Sequence, residues 1–107
     1  MKILNCVLKK EWWHEIAFGT KREEYRDVTE YWTRRLMTRD GKFKRYAAIC
    51  FHYGYTNKTM TWRITDIRRG DGKPLWGGCE DSYIIAFNEL IDTNDAEILK
   101  YLARRNG

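Results

Sequence analysis

The sequence predicts an α+β domain, a small and mostly antiparallel β-barrel with flanking helices, and three observations lead there. Apolar residues alternate with period two in several short segments and recur at helical spacing in others. The segments run strand, helix, strand, helix, then a series of strands and a closing helix. That order suits α+β rather than a doubly wound sheet. Strands this short and numerous in 107 residues remove their exposed edges by closing into a small barrel.

Ile3 to Leu8 forms the first strand, with Ile3, Asn5 and Val7 on one face and Leu4, Cys6 and Leu8 on the other. A helix follows at about 10 to 18, in which Trp12 and Ile16 share a face beside Trp13 and Ala17, so Trp12 is assigned to the core. Gly19 is expected to close this helix in a left-handed conformation that costs other residues more. Lys21 to Val28 suits a second strand. Thr29 opens a helix at about 29 to 38, where Tyr31, Trp32, Arg35 and Leu36 repeat at helical spacing and Trp32 is assigned to the core.

Asp40-Gly41 marks a turn, and Phe43 to Tyr53 is the clearest alternating strand. Tyr55 to Lys58 turns into a strand over Thr59 to Arg68 with Met60, Trp62 and Ile64 buried. Arg69 to Glu80 is a loop with four glycines and the only proline, Pro74, and it carries Trp76. Ser82 to Leu90 is the last strand. Asp92-Thr93-Asn94 is expected to cap a closing helix at about 93 to 105 with Ile98, Leu99 and Leu102 as its apolar stripe.

The length supports a single domain over 1–107 with one core. With 43% apolar and 33% charged residues the chain is neither disordered nor membrane-spanning, and no apolar run approaches the roughly 20 residues a spanning helix needs. The opening segment carries Lys9 and Lys10 after its short apolar run and lacks a small-residue cleavage site, which argues against a signal peptide. Cys6, Cys50 and Cys79 show no paired spacing, so neither a disulfide framework nor a metal site is expected. They read as small buried residues in a reducing, cytoplasmic compartment. Net charge is +5, which suits a polyanion but also serves solubility alone. Five Trp in a small domain exceed what its core needs, and aromatic faces beside cations are what unstacked bases bind.

Chemistry concentrates at Gly19-Thr20-Lys21-Arg22-Glu23-Glu24-Tyr25-Arg26. Alternation puts Glu24 and Arg26 on one face, and Lys21 joins them if it still belongs to the turn after Gly19. Such a cluster grips phosphate and orients a polar group, or else forms exposed ion pairs of little worth. Trp76, in a loop without apolar period, suits base stacking, a lid or simple packing. Tyr53 and Tyr55 flank Gly54, which lets a ligand or backbone come close. His14 and His52 have no Cys or carboxylate at ligand spacing. No phosphate-binding loop, Gly-x-Ser-x-Gly or Cys-His pairing occurs, so no cofactor is expected.

Gly19, Lys21, Glu24 and Arg26 resemble the Gly-x-Lys-x-x-Glu-x-Arg signature of ASCH domains, small barrels related to the PUA domains that bind RNA. Lys10-Glu11-Trp12-Trp13, Tyr31-Trp32 with Arg35, Phe51, Gly54, Tyr55 and Lys73-Pro74-Leu75-Trp76-Gly77 are similar to a compact bacterial and phage branch of that family, a resemblance reaching to about Leu90 and leaving out the final helix. It implies a PUA-like barrel holding RNA or a modified nucleotide in a cleft between barrel and helices. Lys10, Lys21 and Arg26 would hold phosphate, Glu24 would accept from a base or ribose, and Tyr55 or Trp76 would stack.

Some relatives are described as ribonucleases, and others as amidohydrolases that use Lys, Thr and Glu on a modified cytidine. Here Glu24 stands where that pattern has its Thr, and the nearest Thr is Thr20, before Lys21, so the triad does not carry over. A small hydrolase working through Lys21 and Glu24 is therefore the alternative to a binding module. A protein-interaction adaptor using a flat basic face is the third.

Overall fold

The computed structural model describes residues 2–106. Its elements are β1 (Ile3–Leu8), α1 (Lys10–Ala17), β2 (Glu23–Asp27), α2 (Glu30–Leu36), β3 (Ala48–Tyr53), β4 (Thr59–Gly70), β5 (Ser82–Thr93) and α3 (Ala96–Asn106), with a 3-10 turn at Pro74–Trp76 between β4 and β5. The class is α+β, as the order of strands and helices predicts.

The sheet is mixed, in the order β1-β3-β4-β5-β2. It pairs parallel only at β1–β3 and antiparallel elsewhere. It curls into a half-barrel and does not close, which corrects the expected closed barrel. β1 and β2 remain edges, and guanidinium groups stand where strand pairing would complete the cylinder. Arg26 on β2 donates to Val7 O at 2.9 Å, and Arg35 on α2 donates to Asn5 O at 3.1 Å. Alternate carbonyls of a strand point to the same side, so these two side chains occupy the free edge of β1 and blunt it against stray pairing. Curvature comes from register shifts between Thr61 and Trp62 and between Arg63, Ile64 and Asp66 on β4. The apolar phase of β4 changes there, from Met60, Trp62 and Ile64 to Ile67.

The concave face carries the core. β1 contributes Leu4, Cys6 and Leu8, β3 Ile49 and Phe51, β4 Met60 and Trp62, and β5 Tyr83, Ile85 and Phe87. Phe87 meets Phe51 and Trp62 edge-on at centroid distances of 5.2 and 5.5 Å. Trp13 and Ile16 of α1, Leu36 of α2 and Ile98 of α3 close over this face. Each such side chain contributes about 1.5–3 kcal/mol by leaving water.

Local expectations shift where tertiary partners compete. β3 begins at Ala48 rather than Phe43 because residues 43–46 cap the C-terminus of α2. Lys44 N donates to Leu36 O, Lys44 Nζ to Arg34 O, and Tyr46 Oη to Arg35 O. Gly19 has no positive φ, so the expected left-handed closure of α1 does not occur. Glycine is needed there because a Cβ would lie 2.7 Å from Glu15 O, where the chain doubles back over the helix end. Asp95 caps α3, accepting from Glu97 N at 2.8 Å, while Asn94 instead bonds Thr59 N and Asn57 O of the β3–β4 turn and the strand after it. On α3, Ile98 and Leu102 face the core, and Leu99 is exposed. Of the cysteines, Cys6 is buried, Cys50 half-buried and Cys79 exposed, so the expected burial holds in full only for Cys6.

Candidate functional site

At one end of the sheet, α1, the 3-10 turn, β2 and the β3–β4 hairpin enclose a cleft of about 610 Å³, within the usual size of small-ligand sites of about 300–1,000 Å³. Its lining includes all six residues singled out from the sequence: Lys10, Lys21, Glu24, Arg26, Tyr55 and Trp76. β2 begins only at Glu23, so Lys21 belongs to the preceding turn and swings to the side of Glu24 and Arg26.

Those six are not equivalent. Lys21 is 1% exposed, and its ammonium donates to Trp76 O at 2.8 Å, pairs with Glu24 Oε1 at 3.0 Å and lies 4.1 Å from the centroid of the Trp12 ring. Three donors thus have three partners, so burial removes Lys21 from the cations a phosphate reaches and makes it a tie between α1, β2 and the loop. Glu24, 5% exposed, receives Lys21 on Oε1 and Arg26 Nη2 on Oε2 at 2.8 Å. Among the described residues this is the single carboxylate of the cleft, and it is consumed by its own cations.

Arg26 spends Nη2 on Glu24, Val7 O and Cys6 Sγ, while its buried Nε makes no hydrogen bond. The side chain remains 24% exposed. Burial pushes the Cys6 thiol up to about 12, against the pull of the Arg26 charge. Lys9 and Lys10, at the start of α1, are exposed, and Tyr55 is 99% exposed at the tip of the hairpin after Gly54, whose φ is +53°.

The aromatic walls come from the glycine-rich loop and α1. Gly77 adopts φ +82°, and a Cβ there would lie 2.7 Å from Trp12 Cζ2, so only glycine lets this turn press against the Trp12 ring and deliver Trp76 O to Lys21. Trp12 is consequently a cleft residue that packs the core only in part, which corrects its assignment to the interior. Its neighbour Trp13, about 100° round the helix, is the one fully buried, edge-on to Tyr53 at 5.3 Å. Tyr25 lines the cleft floor and donates to Glu23 Oε1 at 2.7 Å. Burial and that bond push its phenol up to about 12.

A second cleft of about 480 Å³ adjoins the first and shares Val7, Arg26, Gly54 and Tyr55 with it. Trp32 lines it and is likewise only partly buried, with Arg26 Cζ 5.1 Å and Arg35 Cζ 5.2 Å from its ring centroid. Arg35 of this cleft is a site residue that the sequence did not single out. Its spacing from Tyr31 and Trp32, four and three residues along one helix, is the signal that was present.

No group of three or more His, Cys, Asp or Glu among the described residues is placed to hold a metal ion. No helix among them is long and apolar enough to cross a membrane. Compared with protein-family models, curated proteins and solved structures, the chain finds no match in any of the three.

Proposed function

We propose that this chain is a nucleic-acid-binding module that takes RNA, or a modified nucleotide, in the first cleft. One observation carries the reading: exposed cations (Lys9, Lys10) and partly exposed Arg26 share a concave surface with the Trp12, Tyr55 and Trp76 rings, while Glu24, the sole carboxylate of the cleft among the described residues, is already neutralised by Lys21 and Arg26. A surface that offers π faces and net positive charge suits an unstacked base joined to a phosphate. The resemblance to ASCH domains and their PUA relatives points the same way. Lys21 and Glu24 then serve as positioning residues, holding Arg26 and the Trp76 loop, and Lys10 and Arg26 contact phosphate.

Two features favour binding over the alternatives. Among the described residues no Ser, Thr, Cys or His lines the first cleft, Thr20 lies outside it, and Lys21 and Glu24 are held in an ion pair with each other, so the Thr-based pattern of the amidohydrolases has no counterpart here. The charged surface is also concave, where an adaptor would present a flat face.

Titration of a fluorescent single-stranded RNA at several salt concentrations tests the proposal. Log affinity is expected to fall with log salt by about 0.7 per phosphate contacted, and Lys10→Ala to lower the slope by about one such contact. Trp76→Ala leaves the backbone carbonyl that holds Lys21 in place. It is expected to weaken binding by about 1–3 kcal/mol with the slope unchanged. Salt-insensitive binding, or wild-type affinity in both variants, refutes the assignment.

A further inference from the structure

We infer that the second cleft is a second nucleotide subsite, so that the ligand is a single RNA strand spanning both clefts rather than a free nucleotide. This rests on the nucleic-acid reading of the first cleft and extends it. The shared wall is the first reason: Arg26 and Tyr55 line both clefts, so a strand leaving one enters the other without crossing a barrier. Tyr55, almost wholly exposed and at the boundary, offers a bare ring to a base on either side.

Charge is the second reason. The second cleft is lined by the Arg26 and Arg35 guanidiniums and, among the described residues, by no carboxylate; Glu24 pairs with Arg26 from the first cleft, which leaves Arg35 as the cation without a carboxylate partner there. Neither Nη1 makes a hydrogen bond among the described residues, so both guanidiniums retain a donor beside the Trp32 ring, whereas each Nε is buried out of a ligand's reach. The two are also held still. Arg26 bonds Val7 O and Arg35 bonds Asn5 O, carbonyls two residues apart on the same edge of β1. Two residues of strand span about 6.6 Å, close to the separation of successive phosphates in an extended single strand. Cations fixed at that spacing lose little freedom on binding, which favours a polymeric backbone over an isolated phosphate. In this arrangement Arg26 receives the phosphate that links the two nucleotides, Arg35 the next one, and the exposed Tyr31 ring the second base, beside Trp32, whose indole senses it.

Indole N–H resonances of the isotopically labelled full chain, assigned by Trp→Phe variants, read the two clefts separately. A nucleoside 5′-monophosphate is expected to shift Trp12 and Trp76 only, whereas a single-stranded hexaribonucleotide shifts these and Trp32. Arg35→Ala is expected to weaken the hexanucleotide about tenfold and lower its salt slope by about 0.7, leaving the mononucleotide unaffected. Because Arg35 also caps an edge carbonyl, Tyr31→Ala provides a variant at an exposed ring, expected to weaken the hexanucleotide about fivefold or more. If the hexanucleotide moves Trp12 and Trp76 but not Trp32, or binds both variants as it binds wild type, the second subsite is wrong and the first cleft stands. If neither ligand moves any indole, the nucleic-acid reading fails and the second subsite fails with it.

Discussion

Replacing Lys21 by methionine probes the element that ties the first cleft together. Methionine keeps the unbranched stem against Trp12 but removes the ammonium, and with it the 2.8 Å bond to Trp76 O and the 3.0 Å pair with Glu24. Breaking a buried ion pair from one side costs about 3–5 kcal/mol when the surviving charge is left alone. Here Arg26 stays 2.8 Å from Glu24 Oε2, so the lower end applies, about 3 kcal/mol. For a domain of this size that lowers the melting temperature by roughly 12–24 °C. Thermal and urea unfolding followed by circular dichroism measure it. Glu24→Gln and the Lys21→Met/Glu24→Gln double variant complete a cycle, and the double variant is expected to be more stable than the two single losses added together, by about 1–3 kcal/mol. Single variants within about 0.5 kcal/mol of wild type, or strict additivity, would show that Lys21 is not the tie described.

Burial opposes ionisation of Glu23, but hydrogen bonds from Tyr25 and Arg68 outweigh it and hold the carboxyl below its ordinary range. Its stabilisation is thus fully present above the unfolded value near 4.3 and is lost as pH falls through the lower folded value, so urea midpoints should drop across that window and Glu23→Gln should flatten the drop. An equal drop in the variant excludes Glu23 as its source. Cys79 is exposed, whereas Cys6 is buried with its thiol pushed up to about 12, so iodoacetamide at pH 8 should modify Cys79 rapidly and Cys6 only on unfolding. Mass spectrometry of the native protein showing Cys6 labelled first would contradict the packing of β1.

Features encoded within a few residues were legible before any folding was considered. The alternation of Leu4, Cys6 and Leu8, the Thr29 cap and the order of strands and helices are set by side chains two to four positions apart, and they stand in the structure. The grouping of Lys21, Glu24 and Arg26 was also legible, because one turn and one strand period bring them together. Tertiary structure decided the rest. Lys21 meets Trp76 across 55 positions and Arg35 meets Asn5 across 30, and no local spacing encodes such partners. The same is true of Trp12 and Trp32, whose apolar spacing reads as core until cations from other elements settle on their faces. The barrel stayed open for a related reason. Closure depends on whether β1 and β2 come within hydrogen-bonding distance, and here two guanidiniums satisfy the β1 edge first, leaving between the strands the space that the clefts occupy.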